Sequence, residues 1–299
     1  MKNNFIKFVI GALLLLILPF FAQYFGNGWV RIIDAALLYM MLALGLNIVV
    51  GYAGLLDLGY VAFYAVGAYM FGELASPHLT DTFDWFKNTF TNGPKGLDTI
   101  DSIHIFGLDL GKDHTLFGLE VHSVSCYYFL FLALVIFAVL ICYRLERSRI
   151  GRAWMAIRED EIAAKAMGIN TRNLKLLAFG MGATFGGVSG VMFGAFQGFV
   201  SPESFSLDES IMIVAMVVVG GIGHIPGVLL GALLLSALPE VLRYVAGPLQ
   251  EMTGGRLDSA ILRQLLIALA MIGVMLSRPR GLWPSPEHGK AAPTPVPVK

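Results

Sequence analysis

Four long segments without a charged residue are the feature of this sequence that most restricts its fold. Asp, Glu, Lys and Arg are absent from residues 35–56, 121–143, 176–202 and 210–239. Only 14% of the 299 residues are charged and 56% are hydrophobic, whereas soluble domains carry about 25% charged residues. A helix that crosses a lipid bilayer needs about 20 mainly apolar residues. The pattern therefore predicts an all-α fold, a polytopic integral membrane helical bundle.

The apolar segments predict about eight transmembrane helices. Their approximate bounds are 8–25, 29–50, 58–76, 123–143, 174–198, 209–222, 225–243 and 259–277. The first segment follows two lysines, as in a signal peptide, but Phe20, Phe21 and Tyr24 are too bulky for a cleavage site, so an uncleaved span is predicted. Cys126 and Cys142 lie at opposite ends of one predicted helix. They would be about 24 Å apart, which excludes a disulfide between them.

The distribution of basic residues predicts the orientation, since Lys and Arg accumulate in cytoplasmic loops. Residues 144–175 contain eight of them, and the C-terminal region adds Arg278 and Arg280. With an even number of spans, both termini are predicted to be cytoplasmic. The sequence is thus divided into a transmembrane domain, 1–283, and a Pro-rich polar cytoplasmic tail, 284–299, which is predicted to be disordered.

Two loops are predicted to extend from the bundle. The segment 77–122 is rich in Asp and Glu and is predicted to be an extracytoplasmic insertion. Within it, the alternation of apolar and polar residues over 103–110, followed by Gly111, predicts a small β-hairpin. The basic loop 144–173 is predicted to lie on the cytoplasmic side and to contain a short helix.

This short helix is predicted from its capping residues. Three acidic residues suit its N-terminus, alanines favour the helical conformation, and a glycine can end it. The candidate coupling residues are Glu159, Asp160, Glu161, Ala163, Ala164 and Gly168. Asn170 can then cap the next helix. An ordinary basic inner loop explains the arginines, but a capped helix of two to three turns is better explained as a docking element for another protein.

Glycines recur at every fourth position of the fifth predicted span. They are Gly182, Gly186, Gly190, Gly194 and Gly198. This spacing places them along one ridge of a helix, where a neighbouring helix can approach backbone to backbone. Helix packing is favoured over direct contact with a transported solute. The helix is expected to lie near the pore or near a subunit interface.

Two glycine-rich breaks, 45–59 and 220–227, interrupt the apolar segments. Non-helical backbone at membrane depth is tolerated only where it is buried in protein or lines a cavity, and interrupted helices recur at transport sites. The candidate residues of a translocation path are therefore Gly51, Gly54, Asp57, Gly223 and His224. Asp57 is interpreted as a cap of the third span, with a proton relay as the alternative. His224 is interpreted as a loop residue rather than a metal ligand.

The basic loop is similar to the coupling loop of bacterial ABC importer permeases, in which Glu-Ala-Ala is followed after three residues by Gly. Two alanines and Gly168 match this spacing, whereas Ile162 takes the position of the Glu and the downstream Ile-x-Leu-Pro is missing. More specifically, three stretches resemble the LivM-type permease of branched-chain amino acid importers: 45–75, 147–170 and 209–235.

The resemblance covers most of residues 30–283, and it implies that the transmembrane domain 1–283 is a permease that carries leucine, isoleucine or valine across the bacterial inner membrane. It also implies a second, LivH-type permease, two ATP-binding subunits and a periplasmic substrate-binding protein as partners, with lipid around the bundle. The chain itself is not expected to be an enzyme or to bind a cofactor, because no catalytic constellation, P-loop or metal-ligand spacing is present. ATP would be used by the partner subunits, and the composition excludes nucleic-acid binding.

Two alternatives remain open at this point. The same machinery could import urea or short amides, since the sequence does not reveal which residues face the path. A transporter of another class would couple transport to an ion gradient through Asp57.

Overall fold

The computed structural model describes most of the bundle. The described residues are 15–24, 26–75, 100, 103–105, 108–116 and 119–252, with 265, 268–269, 272–273, 275–278 and 281–283. The predicted helical membrane bundle is confirmed, because apolar helices form nearly all of this part of the chain. The number of eight helices stays a prediction, since most of the predicted span 259–277 and the tail 284–299 lie outside the described residues.

Long helices form the frame of the bundle. Three stretches, Asn27–Tyr52, Ser123–Glu146 and Thr171–Gln197, are long and apolar enough to cross a membrane. We label the helices in chain order: α1 is Leu15–Tyr24, α2 is Asn27–Leu46, α4 is Ser123–Glu146, α7 is Thr171–Gln197 and α9 is Ile225–Met252. A π-helical turn, Asn47–Tyr52, continues α2. Cys126 and Cys142 in α4 are both free thiols, as predicted.

Two short helices cross only part of the bundle. Helix α3, Val61–Ala75, has 15 residues and α8, Leu207–Gly220, has 14. At a rise of about 1.5 Å per residue, each is about 22 Å long, whereas the hydrocarbon core is about 30 Å thick. Among the described residues both helices are thus shorter than a complete crossing, and the spans 58–76 and 209–222 stay predictions.

The two short helices begin beside each other near the middle of α2. Tyr39, which lies midway between Asn27 and Tyr52, donates a hydrogen bond from its hydroxyl to the Glu209 carboxylate at the start of α8. Ser210 Oγ donates to the carbonyl oxygen of Leu58, just before α3, over 2.6 Å. The non-helical stretch 53–60 therefore returns from the end of α2 to the middle of the bundle.

Helix α3 packs along the glycine ridge of α7. A Cβ at Gly186 would lie 3.0 Å from Phe63 Cβ, and a Cβ at Gly190 would lie 2.6 Å from the backbone nitrogen of Ala68. Side chains at these two positions would overlap α3, so glycine permits the close approach of the two backbones.

Two antiparallel hairpins lie before α4, in the predicted insertion. Strand β1 (His104–Ile105) pairs with β2 (Leu108–Asp109), and β3 (His114–Leu116) pairs with β4 (Leu119–Val121). The first of them is the hairpin that the alternation over 103–110 predicted. Because His122 precedes α4, these strands define one end of the bundle, which we call the hairpin end.

Two helices between α4 and α7 define the opposite end. Helix α5 is Arg149–Glu159 and α6 is Glu161–Ala166, and we call this the coupling end. Away from this end, a 3₁₀ helix, Pro202–Phe205, precedes the start of α8. Residues Leu282 and Trp283 also lie at the coupling end, where their backbone N–H groups donate to Val219 and Gly220.

Candidate functional site

Helix α6 is fixed at both ends by its own sequence. The Asp160 carboxylate accepts hydrogen bonds from the backbone N–H groups of Ile162 (2.8 Å) and Ala163 (3.0 Å). At the other end Gly168 adopts a positive φ of 85°, a conformation that favours glycine. Helix α6 has six residues, less than the two to three turns predicted. Glu159 does not begin it, because the extended backbone of Asp160 ends α5 there.

The side chain of Glu161 ties α6 to the first turns of α7. Its carboxylate accepts hydrogen bonds from Lys175 Nζ at 2.6 Å and Thr171 Oγ1 at 3.3 Å, and it pairs with Lys165 at 3.0 Å. The hydrogen bonds from Lys175 and Lys165 hold the pKa of Glu161 at about 2. The carboxylate is therefore charged at neutral pH, and the start of α7 determines where α6 lies.

The outer surface of α6 is apolar at its tip. Ile162 is 81% exposed and Met167 is 84% exposed, whereas Ala164 faces the protein and is buried. Two large apolar side chains thus project from a short, doubly capped helix that also carries the charged residues Glu161 and Lys165. Such an exposed apolar patch with a polar rim is typical of a site that contacts another protein.

Helix α5 is anchored in the bundle by Trp154. This side chain is fully buried, and its Nε1–H donates to the carbonyl oxygen of Leu174 over 2.8 Å. Ser148 caps the start of α5 by accepting from the backbone N–H of Gly151 over 3.1 Å. Helix α5 is therefore held against both α4 and α7, and it carries α6 at its end.

The two predicted glycine breaks meet at the coupling end. Asn47 Oδ1 accepts a hydrogen bond of 2.9 Å from the backbone N–H of Gly223. A Cβ at Gly51 would lie 2.9 Å from the same nitrogen. Gly54 and Gly223 have positive φ angles of 69° and 80°. The π-helical end of α2, with Gly54 after it, thus contacts the α8–α9 turn around Gly223, and we call this contact region the joint. Asn47 and Gly223 meet there although 176 residues separate them.

Arg158 connects this joint to α5. Its Nη1 donates a hydrogen bond to the carbonyl oxygen of Gly51. A Cβ at Gly54 would lie 2.8 Å from Arg158 Cγ, and a Cβ at Gly223 would lie 3.0 Å from Arg158 Nη1. Sequence reasoning included neither Arg158 nor Asn47 among the site residues. The pairing of an arginine in the basic loop with a glycine break is a tertiary contact that no local spacing reveals.

Asp57 lies away from the joint, in the non-helical stretch near the middle of the bundle. Its Oδ1 accepts from the backbone N–H of Gly59 over 2.8 Å, two residues before α3 begins. Leu56, its chain neighbour, is 71% exposed, and Leu207, three residues before the Ser210 that bonds to Leu58, is 63% exposed. Within the described part of the chain, the backbone N–H groups of 56–58 meet no protein acceptor. This region, residues 56–58 with 207–211, is called the mid-depth junction.

The remaining predicted site residues have separate positions. His224 lies in the α8–α9 turn, where its Nδ1 is 3.0 Å from the carbonyl oxygen of Trp283. Gly182 packs against α2, where an added Cβ would lie 2.5 Å from Val49 Cγ2, and Gly194 lies beside α3. Gly198 ends α7 with a φ of 67° rather than extending the ridge. Among the described residues, no group of three His, Cys, Asp or Glu could hold a metal ion.

Comparison with known proteins gives a consistent result. Residues 78–275 match the family described as "Branched-chain amino acid transport system / permease component". The high-affinity branched-chain amino acid transport system permease protein LivM of Escherichia coli K12 is 34% identical to this chain, over 87% of the chain and 71% of LivM. The LivH permease protein of Salmonella typhimurium is 32% identical over 54% of the chain and 46% of LivH. No solved structure matches the chain.

Proposed function

We propose a function from one premise: the chain belongs to the family of branched-chain amino acid transport system permease components. It is a membrane permease subunit of an ABC importer that carries leucine, isoleucine or valine. The LivM relatives that match most of its length are permease proteins of this transport system. The multi-pass helical bundle supports the same function.

One observation carries the proposed link to ATP. Ile162 and Met167 are exposed on a short helix whose buried side and capped ends fix its position. We assign this tip as the surface that enters a groove of an ATP-binding subunit, with Glu159, Asp160 and Glu161 at its rim. This assignment requires the coupling end to face the cytoplasm, the side on which the distribution of basic residues predicts both termini. The chain supplies no ATPase site and binds no cofactor in this proposal.

The mid-depth junction is proposed as this chain's part of the translocation path. Non-helical backbone cannot face lipid, because its polar groups would lack hydrogen-bond partners. The unpaired N–H groups of 56–58 therefore need water, cargo or another subunit beside them. Exposed Leu56 and Leu207 suit the aliphatic side chain of a branched-chain amino acid better than they suit urea. A second, LivH-type permease would form the other wall, and a periplasmic binding protein would deliver the cargo at the hairpin end.

The experiment uses the full complex in proteoliposomes. The chain is co-expressed with two ATP-binding subunits and a second permease, and leucine uptake is measured with the binding protein outside and ATP inside. Uptake that requires ATP and survives a protonophore is expected, with isoleucine and valine competing and urea not competing. Uptake that follows the proton gradient without ATP contradicts the proposal and favours the ion-coupled alternative.

A substitution at the α6 tip tests the docking surface. Met167→Asp is expected to weaken co-purification of the ATP-binding subunits on the order of 30-fold, since buried interface anchors are worth about 2 kcal/mol or more. Met167→Leu is the matched control and keeps the apolar surface. Equal recovery of the ATP-binding subunits with both variants would remove α6 from the interface.

A further inference from the structure

We propose that Arg158 is the positioning residue through which movement of α6 reaches the membrane helices. The inference rests on the proposed function, because it requires partner subunits that displace α6. It goes further by assigning one side chain to the connection. The hydrogen bond from Arg158 to the Gly51 carbonyl is a side-chain contact between α5 and the end of α2.

Helices α5 and α6 are joined through a single residue. Asp160 is both the residue that ends α5 and the N-cap of α6, and no loop separates the two helices. Arg158 lies two positions before it. A displacement of α6 therefore reaches Arg158 directly, since no flexible segment lies between them to absorb it.

The joint is shaped around the Arg158 side chain. The π-helical turn widens the end of α2, and its Gly51 carbonyl accepts the hydrogen bond from the guanidinium group. A Cβ at Gly54 would lie 2.8 Å from Arg158 Cγ, and a Cβ at Gly223 would lie 3.0 Å from Arg158 Nη1. Glycine at these two positions leaves the room that the long side chain occupies. Three glycines from two breaks thus surround one arginine.

The same joint leads to the mid-depth junction along two helices. Asn47 holds the α8–α9 turn to the end of α2 through Gly223. From there α2 leads to Tyr39 and α8 leads to Glu209, and these two side chains are hydrogen-bonded to each other. A movement of Arg158 therefore shifts the joint. Helices α2 and α8 then transmit this shift to Tyr39 and Glu209, at the mid-depth junction.

The first test compares Arg158→Gln with Arg158→Lys in the assembled complex. The measured quantity is the number of leucine molecules imported per ATP hydrolysed, with complex assembly checked by co-purification. Arg158→Gln is expected to keep ATP hydrolysis and to lower this ratio on the order of tenfold, the scale of typical coupling between sites. Arg158→Lys keeps a charged donor and is expected to restore part of the ratio. Arg152→Gln on the exposed side of α5 is the matched control.

The second test replaces the hydrogen bond with a disulfide in one protein. A Cβ at Gly54 would lie 3.2 Å from Arg158 Cβ, close to the separation of about 3.8 Å in disulfides. Gly54→Cys with Arg158→Cys, in a background with Cys126→Ser and Cys142→Ala, is expected to be poorly coupled when reduced. Oxidation is expected to restore coupling, because the bond again attaches α5 to the joint.

The outcomes separate this inference from the proposed function. Wild-type complex without ATP-driven uptake contradicts the function itself. A wild-type complex that transports leucine, together with an unchanged ratio in Arg158→Gln, overturns only the role of Arg158. The same conclusion follows if the cross-link forms and the disulfide pair gives equal coupling in both redox states.

Discussion

Asn47 and Gly223 are joined by a hydrogen bond of 2.9 Å between the Asn47 amide oxygen and the Gly223 backbone N–H. Asn47 begins the π-helical turn at the end of α2, and Gly223 lies in the turn between α8 and α9. Two breaks that are far apart in sequence therefore form one structural unit. Because Asn47 is fully buried, water cannot replace the bond when either partner is lost.

Asn47→Ala is expected to destabilise the bundle by about 1–3 kcal/mol, the cost of leaving a buried polar group without its partner. The loss should appear as a lower Tm of the detergent-solubilised complex and as reduced leucine uptake. Thr184→Val is the control, because the exposed Thr184 hydroxyl donates to the Gly180 carbonyl of its own helix. A Tm for Asn47→Ala equal to that of the control would show that the Asn47–Gly223 bond contributes nothing to stability.

Gly190→Leu is expected to separate α3 from α7 and to abolish assembly. A Cβ at this position would lie 2.6 Å from the Ala68 backbone nitrogen, and the rigid backbone of α3 cannot yield. Overpacking costs about 1–3 kcal/mol when side chains can move, and more is expected against backbone. Gly187→Leu on the same helix is the control, since nothing lies within 4 Å of its Cβ position. Complex yield after affinity purification is the measurement, and equal yields would contradict the packing role.

The residues of α6 and α7 illustrate which features local sequence predicts. Gly168 and Asn170 were assigned as the end of one helix and the cap of the next, and both residues occupy those positions. Capping depends on hydrogen bonds within three or four residues, so the sequence contains the needed information. The same reasoning misplaced Glu159, because three consecutive acidic residues suit a helix start equally well and only the extended backbone of Asp160 decides between them.

Contacts between residues that are far apart in sequence could not be predicted from local sequence patterns. Hydropathy marked 58–76 and 209–222 as spans, since it measures apolar length and not the depth at which a helix begins. The Tyr39–Glu209 hydrogen bond and the return of residues 53–60 into the bundle determine that depth. The contact between Arg158 and Gly51 spans 107 residues, and no spacing within the basic loop points to it.

Gly168→Arg is expected to preserve membrane insertion and to uncouple ATP hydrolysis from uptake. The φ of 85° at Gly168 is strained for a side chain, at a cost of about 1–2 kcal/mol, so the end of α6 should unwind. Gly168→Asn is the control, because asparagine tolerates this conformation better than other residues. The measurement is leucine imported per ATP hydrolysed. Normal coupling in Gly168→Arg would contradict the requirement for a fixed α6.

The ion pairs of Glu161 predict how α6 responds to pH. Lys175 and Lys165 hold the pKa of Glu161 at about 2, below its ordinary value of 4.5. Because the folded-state pKa is the lower one, the ion pairs stabilise α6 fully above about pH 4.5 and lose their effect as the pH falls toward 2. Amide protection factors of residues 161–167 should therefore stay constant from pH 8 to pH 5. Glu161→Gln should lower them throughout that range, and a decline in the wild-type protein between pH 7 and pH 5 would disprove the assignment.

Asp57→Asn distinguishes a structural carboxylate from a proton relay. The Asp57 Oδ1 atom accepts the Gly59 N–H two residues before α3 begins, and an asparagine oxygen can accept the same hydrogen bond. Leucine uptake by Asp57→Asn is therefore expected to remain close to wild type with an unchanged pH profile. Asp57→Ala should lose about 1 kcal/mol of stability, as expected for removal of one hydrogen bond, and lower the Tm. If Asp57→Asn assembled normally but abolished uptake, the carboxylate would have to exchange protons, and the ion-coupled mechanism would replace the ATP-driven one.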